Sequence, residues 1–126
     1  MQFDLASPQK LMFSKPVAMV TIPGSEGVFG VLPGHALMNA QVTAGVVEIY
    51  EADQGVVTER LFVAGGFCEV MPDRCTLLAD QVTPVKKLNR ADIEDEIKVL
   101  SNAAKDDEAA VAKLALAQAK LAAVAA

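Results

Sequence analysis

The chain has 126 residues, 52% of them hydrophobic and 21% charged, with a formal net charge of −5. That length holds one ordinary core, or a smaller core with an appendage, and the composition is globular rather than disordered. The acidic balance excludes nucleic acid and anionic lipid as main partners, since both select basic surfaces, and neither a bilayer-spanning stretch nor a secretory or transit peptide is expected.

In chain order, Val17 to Ile22 is apolar and β-branched, the composition of a strand. From Ile22 to Ala36, four glycines (Gly24, Gly27, Gly30, Gly34) and two prolines (Pro23, Pro33) follow at short intervals. Each Pro-Gly pair fixes one backbone angle and then supplies a residue that accepts positive φ, as tight turns require. Val28 to Leu32 is too short and Gly-broken for a helix, so one short strand is predicted between two turns. Val46 to Ala52, Val56 to Ala64, Phe67 to Met71 and Cys75 to Val82 continue the strand pattern. Asp53-Gln54-Gly55, Gly65-Gly66 and Pro72-Asp73 separate them as turns. Mixed polarity in Glu48 to Glu51 and Thr58 to Phe62 suits antiparallel strands with one wet face. Strands at this spacing, without intervening helices, predict a β-sandwich or flattened barrel. Cys68 and Cys75 flank the Pro72-Asp73 turn and read as reduced core thiols on one face of a hairpin.

Composition changes abruptly near Pro84, the last of the prolines, beyond which there is no glycine or aromatic residue. Residues 1–85 hold 4 basic and 9 acidic side chains, whereas residues 86–126 hold 7 of each and are rich in Ala, Leu, Lys and acid. Two domains follow: an all-β sandwich over 1–85 and an antiparallel α-helical hairpin over 86–126. Asn89 is the expected N-cap of the first helix, with Asp92 three residues on as a weaker capping-box acid. Ile93, Ile97, Leu100 and Ala104 fall on one face, and Glu94 and Lys98 form an i,i+4 pair. The break is expected from Ser101-Asn102 to Lys105-Asp106, with Asp106 or Asp107 capping a second helix whose stripe is Val111, Leu114 and Leu121.

No convergent catalytic set or cofactor motif is present. The glycines of the Ile22–Ala36 run match neither a phosphate loop nor a dinucleotide fingerprint. His35, the sole histidine, has no Ser, Cys or carboxylate at a motif spacing and suits a turn or contact role. Glu26 suits a solvent-facing loop carboxylate. Helical spacing scatters Asp92, Glu94, Asp95 and Glu96 around the axis, which favours a solvated helix start over a cation site. Two cysteines and one distant histidine fall short of a metal site. The residues alone thus describe a non-enzymatic interaction protein with no cofactor and no metal.

Three segments carry a resemblance. The Ile22–Ala36 run, Ala64-Gly65-Gly66-Phe67-Cys68-Glu69-Val70 and Thr76-Leu77-Leu78-Ala79-Asp80 are together similar to the ε subunit of bacterial F-type rotary ATP synthases, over nearly the whole chain. The resemblance implies the same two-part fold and a non-catalytic place in the central stalk. There the subunit couples γ to the ring of c subunits, so that proton flow drives ATP synthesis at the cytoplasmic face of the inner membrane. The implied partners are the γ subunit, the c ring and, through the C-terminal helices, the catalytic alpha and beta subunits. Ser7, His35 and Ala40 take the γ-facing places; Ser25, Glu26, Gly27 and Val28 take those of the c-ring loop. Val28 stands where the family often has an acid, and Leu37 where it often has a proline. A regulatory alternative gives the helices an inhibitory or ATP-sensing role. Leu88-Asn89-Arg90-Ala91-Asp92-Ile93 departs from the family's ATP-binding segment, however, with Asn for its Asp and Asp for its Arg. A free-standing ligand-binding β-sandwich is a third reading.

Overall fold

In the computed structural model, residues 1–51, 56–103 and 108–125 are described, and the chain divides into two units, Met1–Pro84 and Val85–Ala126. Along the first unit buried and exposed side chains alternate. β1 (Gln2–Ala6) buries Phe3 and Leu5, and β9 (Arg74–Ala79) buries Cys75, Leu77 and Ala79. The same two-residue period runs through β3 (Met19–Gly24), β6 (Gly45–Tyr50) and β8 (Gly66–Met71). β2 (Leu11–Pro16), β4 (Gly27–Val31), β5 (Met38–Val42), β7 (Glu59–Val63) and β10 (Val82–Pro84) complete the set.

These strands pair as one ten-stranded sheet in the order β10-β7-β6-β3-β5-β8-β9-β1-β2, with β4 on β3. β3 and β5 meet at the single pair Gly24↔Val42, and there the sheet turns over to form the sandwich. One layer is β4-β3-β6-β7-β10; the other is β5-β8-β9-β1-β2. Phe3, Leu5, Val20, Ile22, Val47, Ile49 and Leu77 fill the space between them, all fully buried. Among the described residues every pairing is antiparallel except β1 with β9.

The sandwich and the helical hairpin agree with the sequence expectation, and particular boundaries move. β3 begins at Met19 rather than Val17, β7 at Glu59 rather than Val56, and β6 ends at Tyr50. Cys75 to Val82 splits into β9 and β10, because Asp80 and Gln81 leave the ladder. β1, β2 and β5 were not expected. The Asp53-Gln54-Gly55 turn lies outside the described residues.

In the second unit a 3-10 turn (Val85–Lys87) precedes α1 (Arg90–Ala103) and α2 (Glu108–Ala125), which pack on each other. The Asn89 carboxamide oxygen accepts from the N–H groups of Ala91 (2.9 Å) and Asp92 (3.2 Å), the expected N-cap. Glu94 pairs with Arg90 at 3.1 Å, not with Lys98; both choices are one helical turn away. Ser101 and Asn102 are still helical. On α2 the buried residues are Ala110, Ala117 and Ala123, while Val111 is exposed. The stripe is therefore Ala110, Leu114, Ala117 and Leu121: small side chains set the close approach of the helices, and Leu114 and Leu121 flank it half-buried. Ala104 and the candidate cap residues Asp106 and Asp107 lie outside the described residues.

Candidate functional site

The β3–β4 hairpin turns on Ser25 and Glu26, with Gly24 opposite Gly27. Gly27 holds the positive φ, +128°, and Gly34 in the second turn holds +83°. Gly34 follows Pro33 as expected; Gly24 does not take that role after Pro23. It remains in β3, where a Cβ would lie 2.8 Å from the Gly27 carbonyl oxygen and 2.9 Å from the Phe29 ring. Its lack of a side chain serves close approach, and the turn forms two residues later. The Ser25 N–H donates to the Gln41 carbonyl at 3.0 Å, fastening the turn to β5. Ser25, Glu26, Gly27 and Val28 are all exposed, with Val28 at 73%. A groove of about 300 Å³ runs beneath the turn, lined by Ser25, Glu26, Phe29, Met38 and Ala40 among others.

Ser7, His35 and Ala40 fall on the β5-β8-β9-β1-β2 layer or its connecting loops, but not in one cluster. Ser7 closes the β1–β2 loop: its N–H donates to the Lys10 carbonyl (2.9 Å), as does its hydroxyl (3.3 Å). His35, half-buried, donates its Nδ1–H to the Ala36 carbonyl at 2.8 Å. Its loop is anchored at the opposite end of the layer, where the Gly34 N–H donates to the Pro72 carbonyl at 2.7 Å. Ala40 pairs with Cys68 in register. It lines the groove under the Ser25–Glu26 turn, so it joins the second set of residues more closely than Ser7 or His35.

The outer face of this layer also presents a row that sequence reasoning missed. Register pairs place Gln41 beside Phe67, Phe67 beside Leu78, Leu78 beside Ala6, and Ala6 beside Leu11. Phe67 is 50% exposed, Leu78 57% and Leu11 60%. At ~4.8 Å per strand the row is about 20 Å long, and Ser7 lies at its Leu11 end. The neighbouring row is polar: Asn39, Glu69, Thr76, Asp4 and Ser14. Within it the Ser14 hydroxyl (2.6 Å) and the Gln2 amide (3.0 Å) donate to Asp4, and Arg74 lies 3.8 Å away. These bonds hold the Asp4 carboxyl below the ordinary carboxylate range. The face is thus divided into an apolar strip and a polar strip, an arrangement suited to docking against a protein surface with an apolar core and a polar rim. The signal was ambiguous in the sequence: Phe67-Cys68 and Leu77-Leu78 are adjacent apolar pairs, and alternation alone does not say which member turns outward.

Among the described residues no group of three or more His, Cys, Asp or Glu side chains gathers in a metal-binding arrangement, and no helix is long and apolar enough to cross a membrane.

Residues 1–85 match the family model described as the ATP synthase delta/epsilon chain beta-sandwich domain. The ATP synthase epsilon chain of Rhodospirillum rubrum is 43% identical over a 129-residue alignment, covering 97% of this chain and 94% of that one. That of Rhodospirillum centenum is 45% identical over 108 residues, covering 86% and 74%. Among solved structures, a chain of the Euglena gracilis mitochondrial ATP synthase OSCP/F1/c-ring assembly superposes with TM-score 0.81 at 21% identity, over 98% of this chain and 78% of that one. A chain of the Tetrahymena thermophila mitochondrial ATP synthase central stalk and c-ring gives 0.58 at 14% identity, covering 68% of this chain and 67% of that one. These two share the fold.

Proposed function

The chain belongs to the family of ATP synthase epsilon chains, and on that premise we propose that it is a non-catalytic central-stalk subunit coupling γ to the c ring, so that proton flow drives ATP synthesis. The observation that carries the reading is the extent of the family match, Met1 to Val85, which includes both candidate contact edges. The apolar strip of Leu11, Phe67 and Leu78, with Ser7 at one end, is the surface for γ. The exposed Ser25–Val28 turn meets the polar loops of the c ring. A two-layer sandwich with a close-packed core is a stiff block suited to passing torque between two rotor parts, and its work is done by buried interfaces rather than reactive groups. The subunit is peripheral, at the cytoplasmic face of the bacterial inner membrane, and its helices are the segment that can reach the catalytic alpha and beta subunits. Reconstitution tests this: purified chain added to membranes depleted of this subunit is expected to bind and to restore proton-coupled ATP synthesis. Failure to associate with γ or with the membrane sector would refute it.

A further inference from the structure

The contact reading leaves one buried reactive pair without a role. Cys68 and Cys75 sit on the paired strands β8 and β9, offset by two residues: Cys68 is opposite Leu77, and Cys75 opposite Val70. Both are fully buried in the core and neither is in a disulfide. Their sulfurs are 3.5 Å apart, in contact with each other across the hairpin.

We propose that Cys68 and Cys75 form a reversible dithiol–disulfide couple, closed by exchange with a low-molecular-weight disulfide. One thiolate attacks a sulfur of the external disulfide, giving a mixed disulfide and releasing one small thiol. The second thiolate then attacks the protein sulfur of that mixed disulfide, forming the Cys68–Cys75 bond and releasing the other small thiol. The chain loses two hydrogens and two electrons, and the external disulfide is reduced to two thiols. In the closed hairpin a hydrogen bond to Cys68, together with burial, pushes the Cys75 thiol up, and either sulfur can make the first attack once the hairpin opens.

The backbone decides what kind of disulfide this is. A diagonal cross-strand pair separates its α-carbons by roughly 7–8 Å, whereas a relaxed disulfide spans about 4.4–6.8 Å. Closing the bond therefore draws β8 and β9 out of their native spacing, and the product is readily reduced. Since both sulfurs are buried, exchange proceeds through local opening of the hairpin. The strained element is the one whose outer face carries Phe67 and Leu78. The couple is a property of the free chain and does not depend on which partner covers that face.

The test is mass spectrometry of the native full-length chain, held to constant composition in glutathione buffers of rising disulfide fraction and quenched with an alkylating agent. The expected product lacks two hydrogens and both alkylatable thiols, appears toward the oxidising end of the series, and reverts when reduced glutathione is restored. Cleavage after Arg74 places the two cysteines on different peptides, so a linked peptide pair locates the bond without any substitution. Retention of both thiols across the series overturns the proposal, as does accumulation of only mixed disulfides or intermolecular dimers.

Discussion

Replacing Phe67 with serine is the sharpest perturbation of the proposed γ surface. Phe67 is 50% exposed. A phenylalanine buries about 150–250 Å² when fully covered, so roughly 100 Å² remains to be covered on docking. At ~25 cal/mol per Å² that is about 2.5 kcal/mol, or roughly a 70-fold change in Kd. The half already covered belongs to the folded chain, so the same change lowers folding stability by at most a similar amount, about 1–2 kcal/mol after allowing for a compact unfolded state. Two assays separate the terms. Urea unfolding of the free variant is expected to show a lower midpoint with an unchanged m-value, and calorimetric titration of purified γ is expected to show the loss of affinity. Phe67→Leu, which keeps most of the apolar area, is expected to recover most of it. A folded Phe67→Ser chain that binds γ as tightly as the parent would remove the apolar strip from the interface.

Three further outcomes are expected. In Gly66→Ala the new Cβ falls 2.1 Å from the Leu78 carbonyl oxygen and 2.8 Å from the Ala79 α-carbon, at φ +154°. Rigid backbone contacts and strain together destabilise by about 3–5 kcal/mol, whereas Gly34→Ala, with open space around it, loses only about 1–2; equal losses in urea unfolding would contradict the steric account. Asp4, lowered from the ordinary 3.8 by its hydrogen bonds from Ser14 and Gln2, adds stability that is present above that value and lost as pH falls through the lower folded-state one. Asp4→Asn should therefore be less stable than the parent at neutral pH and converge with it in acid, and a constant difference in denaturation midpoint across that range would refute the linkage. Calorimetry with Mg-ATP is expected to show no binding at the start of α1, because the Asn89 oxygen is committed to the helix cap and Asp92 repels phosphate; measurable heat that disappears in Asn89→Ala would contradict this.

The fold class was legible because two signals are local. Turn chemistry at Pro33-Gly34, Gly65-Gly66 and Pro72-Asp73 punctuates the strands, and the Ala-rich tail with its Asn89 cap announces helices. What stayed hidden depends on distant pairing. β1 and β5 alternate correctly, yet Gln2, Asp4, Asn39 and Gln41 have weak strand preference, and these strands exist because β9 and β8 supply the ladder. The displaced positive φ, at Gly27 rather than Gly24, follows from hairpin register, which a Pro-Gly pair does not determine. The candidate contact residues followed from motif resemblance alone, and Ala40 shows the limit: adjacent in sequence to exposed positions, it lies on the groove side of β5.

The parallel pairing of β1 with β9 carries a consequence for biosynthesis. β1 takes an interior place, with β2 on one side and β9 on the other, and β9 is synthesised only after most of the sandwich has been made. Until then a β1–β2 hairpin holds a bare edge, open to pairing with the wrong chain. Its closure joins residues far apart in sequence, which is the slow kind of contact. Completion of the β5-β8-β9-β1-β2 layer is therefore timed by the arrival of β9, and the nascent chain is most in need of a chaperone in the interval before it.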